Sequence, residues 1–114
     1  MNNFKLKTKS DISNINPDAI YIVPGSVNSI IVLGLILSNK SSGIITATIS
    51  LQSDTVDGET NSDVVLLNEV SIPNSSTLEV FAGQKLVLQP TDQLSAICNV
   101  ANGLDVALSI LEIS

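Results

Sequence analysis

Hydrophobic and polar residues alternate along most of this chain with a period of two, the spacing of a strand with one face in a core. Phe4–Ser10 (FKLKTKS) sets Phe4, Leu6 and Thr8 against Lys5, Lys7 and Lys9, which predicts a half-buried strand with the lysines outward. Ile44–Gln52 places Ile45, Ala47, Ile49 and Leu51 opposite Thr46, Thr48, Ser50 and Gln52. Ser29–Asn39 (SIIVLGLILSN) breaks the alternation: from Ile30 to Leu37 every residue but Gly34 is aliphatic. β-branched content, short length and flanking turn residues favour a strand over a helix. A regular strand would send Ile31, Leu33, Leu35 and Leu37 one way, and Ile30, Val32 and Ile36 the other. Both faces are then apolar, as expected only where both are covered.

Turn chemistry separates further short strands. Ala19–Val23 stops at Pro24-Gly25, Val64–Ile72 at Pro73-Asn74, Thr77–Phe81 at Ala82-Gly83, and Lys85–Gln89 at Pro90-Thr91. The loop Lys40–Gly43 predicts a hairpin between Ser29–Asn39 and Ile44–Gln52. Asn102-Gly103 predicts a two-residue hairpin at the end of the chain. That register puts Ile97, Val106, Leu108 and Ile110 on a core face. Leu94, Ala96, Cys98, Ala107, Ser109 and Leu111 fall on a smaller, semi-polar face suited to close approach by another surface. Eight or nine strands result. The fold expected is all-β, a single antiparallel β-sandwich of jelly-roll type. Residues 1–16 form an N-terminal arm and first strand, and 17–114 the sandwich.

Composition narrows the function. The chain has 114 residues, one domain's worth, with three aromatics, so the core is aliphatic. Without histidine there is no Ser-His-Asp or Cys-His set, and with a lone Cys98 there is no zinc site and no intrachain disulfide. Cys98 reads as a small packed residue. Neither Lys40 nor Lys85 sits in a motif that would activate a serine. The acids occupy outward positions or a loop, and aromatic platforms for sugar are nearly absent. No phosphate-cradling glycine motif occurs. No enzyme activity and no cofactor are expected. The N-terminus lacks the apolar region of a signal peptide, and the run 30–37 is too short to span a bilayer.

Charge is uneven. Lys5, Lys7 and Lys9 give the first nine residues +3, and the rest carries −9, for a net −6. Such a body repels nucleic acid. The lysine strand either docks on an acidic neighbouring copy or protects a sheet edge from adhesion. The acidic loop 53–63 holds Asp54, Asp57, Glu59 and Asp63, weak candidates for calcium whose spacing departs from a helical calcium loop. The same loop is a candidate contact for an outside partner.

Three segments together resemble small virion structural proteins of tailed bacteriophages, notably of marine and cyanobacterial phages. They are Tyr21–Asn39 (YIVPGSVNSIIVLGLILSN), Ser71–Gln93 (SIPNSSTLEVFAGQKLVLQPTDQ) and Leu104–Ser114 (LDVALSILEIS). Pro24-Gly25-Ser26 and Pro73-Asn74-Ser75 depart from the Pro-Ala-Gly turns of that group. The resemblance implies a capsid decoration or cement protein on the particle exterior. It would bind copies of itself, three by analogy, and the major capsid or other virion proteins. A neck, tail or fibre recognition module using loop 53–63 is the alternative. Subunit or shell contacts are expected at Lys5, Lys7, Lys9, Ile30, Val32, Ile36, Leu94, Cys98 and Leu111.

Overall fold

The computed structural model describes residues 2–53, 61–81 and 84–113. They form nine strands: β1 (Asn3–Lys9), β2 (Asp18–Ile22), β3 (Ser29–Asn39), β4 (Ile45–Gln52), β5 (Val64–Ile72), β6 (Thr77–Glu79), β7 (Leu86–Leu88), β8 (Gln93–Cys98) and β9 (Leu104–Ile113). One sheet has the order β1-β9-β3-β6, with β7 also on β3; the other has the order β2-β8-β4-β5. All pairings are antiparallel. The two sheets pack as a sandwich, and the strands β1 to β4 alternate between them, as do β8 and β9, in the manner of a jelly roll.

That alternation corrects both predicted hairpins. β3 and β4 lie in different sheets, and so do β8 and β9. The Asn102-Gly103 turn exists, with the Gly103 N–H donating to Val100 O at 3.2 Å and Asn102 at φ 60°. It is an arch across the sandwich, with Asn102 in the third position, where a left-handed residue is needed. Short loops with the same turn residues suit a hairpin or an arch, and here β9 pairs with β1 and β3 instead of β8.

β3 is the central strand of its sheet, as its composition requires. Its register against β9 shifts between Val32 and Gly34. This bulge resets the alternation. Ile30, Val32, Leu35 and Leu37 are all fully buried, while Leu33 and Ile36 are exposed. A regular strand would have split the first four between two faces. The inner side of β9 adds Leu104, Val106, Leu108 and Ile110, and the facing sheet adds Ile45, Ala47, Ile49, Leu94, Ala96 and Cys98. Ile97 is therefore on the outside and Leu94 and Cys98 are in the core, the reverse of the hairpin register.

Asn39 closes one end of the core. It is buried, and its amide donates to the carbonyls of Gly43, Ile72 and Pro73 at 2.9, 2.9 and 3.0 Å. Its Oδ1 accepts from the N–H and hydroxyl of Ser41, each at 2.8 Å. One side chain thus satisfies the backbone where β3 turns into β4 and β5 ends.

Candidate assembly surface

The lysine strand is inverted relative to expectation. β1 pairs with β9 so that Lys5, Lys7 and Lys9 stand opposite the inward residues Ile110, Leu108 and Val106. Lys5 Nζ meets Glu112 at 3.0 Å, and Lys7 Nζ lies 5.8 Å from the centroid of the Tyr21 ring. Tyr21 in turn donates its hydroxyl hydrogen bond to Glu112 at 3.1 Å. The ammonium of Lys5, aided by Tyr21, holds the Glu112 carboxyl below the usual range against the effect of burial. Burial and then Glu112 push the Tyr21 phenol up to about 12. Two lysines of the arm are thus engaged within their own chain, an arrangement that favours edge protection over docking on an acidic neighbour.

Turning the lysines in turns Phe4 and Leu6 out. Phe4 is 76% exposed and Leu6 64%. They share the outer face of the sheet with Ile36 at 46%, Leu33 at 36% and Val87 at 60%. The register sets Phe4, Leu111, Ile31 and Val87 in one row across four strands. A second row runs Thr8, Ala107, Ile36 and Glu79. Toward the start of β9 the outward residue Ala107 is small, and a shallow pocket opens there, lined by Thr8, Lys9 and Ser10 on one side, Ile36 and Ser38 on the other, and Asp105, Val106 and Ala107 of β9 between them. At its end Lys40 bonds both Asp11 and Asp105, the latter at 3.0 Å. Burial would raise the Asp105 carboxyl, but the Asp11 N–H and Lys40 outweigh it and hold it low; Asp11 and Asp105 raise Lys40.

The middle of the other outer face differs in kind, while Ile22 and Val65 are exposed on its two edge strands. On β4 and β8, Gln52 Oε1 accepts from the Ser95 hydroxyl at 2.9 Å, Gln93 donates to Ser95, and Gln52 donates to Ser50. That surface is polar and uncharged there.

Of the residues expected at contacts, Ile36 is exposed and Leu111 half-buried on the apolar face. Ile30, Val32, Leu94 and Cys98 are in the chain's own core and unavailable to a neighbour. Asp54, Asp57 and Glu59 lie outside the described residues. Asp63 accepts from the Ser53 N–H at 3.0 Å, and the Ser53 hydroxyl donates to buried Asp92 at 2.9 Å, which ties down the base of loop 53–63. Among the described residues no cluster of metal ligands occurs. Phe4, Leu6, Leu33 and Val87 were not singled out as contacts from sequence; the inward lysines of β1 are what bring the first two to the surface.

No protein-family model matches the sequence, and no curated protein does. Solved structures do. A chain of the T13 IBDV viral particle aligns with 98% of this chain at 12% identity and a TM-score of 0.59. A protein of the Bacillus endospore appendages, a family of disulfide-linked pili, aligns with 100% of it at 13% identity and a TM-score of 0.50. The likeness is one of fold. This chain spans 31% of the length of the viral-particle chain and 88% of that of the appendage protein.

Proposed function

We propose that this chain is a non-enzymatic structural protein of a virus particle, a capsid decoration or cement protein of a tailed phage carried on the exterior. It binds copies of itself, three by analogy, and the major capsid or another virion protein. The observation that supports this reading is the apolar outer face of the β1-β9-β3 sheet on a fold of the kind found in a viral particle chain. Assembly proceeds by burial of aliphatic surface, and each large side chain taken fully out of water contributes about 1.5–3 kcal/mol. Contacts of this size, repeated by symmetry, hold many copies on a shell. The test is cosedimentation of the purified protein with undecorated shells, together with labelling of intact particles. Saturable binding at regular external positions is expected; no binding to shells and no labelling of particles would overturn the proposal.

A second reading is a neck, tail or fibre module that recognises a receptor through loop 53–63. The tied base of that loop, Ser53 to Asp63 and Asp92, supports it. Labelling confined to the neck, tail or fibres would favour it.

A further inference from the structure

β1 helps to build the apolar outer face but takes no share of the core. Six of its seven residues are exposed, and Lys7 is half-buried. β9, on which it lies, alternates buried Leu104, Val106, Leu108 and Ile110 with outward residues. The inner side of β1 is held by charge instead: Lys5 on Glu112 at 3.0 Å, and Lys7 at 5.8 Å from the Tyr21 ring centroid. The change at its C-terminal end is abrupt. Ser10 and Asp11 are exposed, with Asp11 at φ 55°. Ile12 is fully buried and donates its N–H to Leu104 O at 3.0 Å, and Ser13 O accepts from the Cys98 N–H at 3.2 Å. Two exposed residues thus divide a strand lying on the domain from a chain anchored inside it. A segment with few buried contacts, a single ladder and a sharp boundary opens at lower cost than the domain unfolds.

We propose that β1 is a strap that opens and closes as a unit, and that the Lys5–Glu112–Tyr21 clasp, by closing it, completes the apolar face. The proposal rests on the assembly reading above and deepens it by naming what makes the contact surface conditional. Phe4 and Leu6, the two most exposed large side chains of that face, are both on β1. With the strap closed, Phe4 stands in a row with Leu111, Ile31 and Val87. With it open, both side chains leave the face and the outer edge of β9 is bared. Glu112 is buried on the inner side of β9, so it acts on the outer face through β1, as a positioning residue. Its carboxylate is faced by Lys5 and Lys7 from β1 and by the Tyr21 hydroxyl from β2, and its neighbour on β3 is the apolar Ile30. Those partners hold the carboxyl below the ordinary 4.5. The clasp therefore stabilises the closed strap above that pH and is lost as pH falls through the lowered value. Acid loosens the strap.

Amide hydrogen exchange of the full chain, read residue by residue, tests this. β9 lies between β1 and β3, so its alternate amides bond one strand or the other. The β9 amides facing β1 should exchange at least about tenfold faster than those facing β3. Ile49→Val, in the facing sheet, should quicken the β3-facing set by about 2–10-fold and leave the β1-facing set alone, since opening the strap breaks none of its contacts. Lys5→Glu sets two carboxylates against each other and should strip the β1-facing set of protection while the β3-facing set stays protected. Adding Glu112→Lys to it restores opposite charges and should restore protection. The wild type should lose the same protection as pH falls below 4.5. Thr8→Cys with Ala107→Cys, register partners within disulfide reach, should slow the β1-facing set to the core rate when oxidised and release it when reduced. Equal rates in the two β9 sets, or an Ile49→Val effect on both alike, would show that β1 opens only with the domain and overturn the strap. A charge exchange that restores no protection overturns the clasp. Cosedimentation with shells separates this from the virion role. If the wild type coats shells, Lys5→Glu should coat at least about tenfold more weakly and the charge-exchanged double variant should recover; undiminished coating with an open strap overturns the effect on the face. If exchange behaves as described but no variant joins a particle, the virion role fails and the strap stands.

Discussion

Tyr21 on β2 and Glu112 on β9 meet across the sandwich, the phenol donating to the carboxylate at 3.1 Å. Both residues are buried, and this bond joins the two sheets beside the edge strand β1. Removing the hydroxyl by Tyr21→Phe leaves Glu112 with Lys5 and keeps the ring in place. The expected cost is about 1.5–3 kcal/mol, the range for a hydrogen bond with a charged partner, read as a melting temperature lower by about 6–12 °C.

Tyr21 is the sole tyrosine, so its ionisation can be followed by ultraviolet absorbance without interference. In the folded chain the phenol should titrate toward about 12, against 10.0 in the unfolded chain. A group whose pKa is raised by folding stabilises below its unfolded value and loses that contribution as pH climbs through the folded one. Stability should therefore fall between pH 10 and 12, and raised Lys40 acts in the same direction. Glu112 and Asp105 behave oppositely. Their lowered values stabilise above the ordinary 4.5 and 3.8 and are lost as pH falls through the folded ones. Melting temperature against pH should show a plateau between these limits. Glu112→Gln should flatten the acidic side.

Cys98 is buried, with its thiol 3.0 Å from Val100 O and 3.6 Å from Ile12 O. Such a thiol is shielded from reagents. It should stay unlabelled by a thiol reagent in the native protein and react with one equivalent after denaturation. Rapid native labelling would show that the arch after β8 opens readily. Intermolecular disulfides of native chains are not expected at this position, unlike in a disulfide-linked pilus.

Asn39→Ala should be the most damaging of the polar substitutions considered. It strips a donor from three backbone carbonyls and an acceptor from Ser41 at a buried site. At about 1–3 kcal/mol for each buried group left unpaired, a loss on the order of 3 kcal/mol or more follows, visible in a urea midpoint. Asn39→Asp should do no better, since a carboxylate cannot donate to those carbonyls.

Much of the fold was legible in the residues. The aliphatic run at 30–37 marked the central strand, and the turn residues bounded its neighbours within a few positions. Sheet membership was not legible, because KSSG and VANG turn the chain tightly whether the next strand lies beside the last or above it. The phase of β3 was hidden for another reason. A bulge in a row of aliphatic residues leaves no polar misfit to reveal it, and Gly34 was its only mark. In β1, alternation identified which residues share a side without saying which side faces the core. The usual rule, charges outward, failed because Glu112 and the Tyr21 ring receive Lys5 and Lys7 at the open margin of the sandwich.

The last strand of the fold lies between the first and the third, so β1 has no sheet partner until β9 is added. Closing this sheet is a long-range event that joins the two ends of the domain. A chain shortened before Leu104 would leave β1 unpaired and one side of β3 open, two raw edges where the finished domain has none.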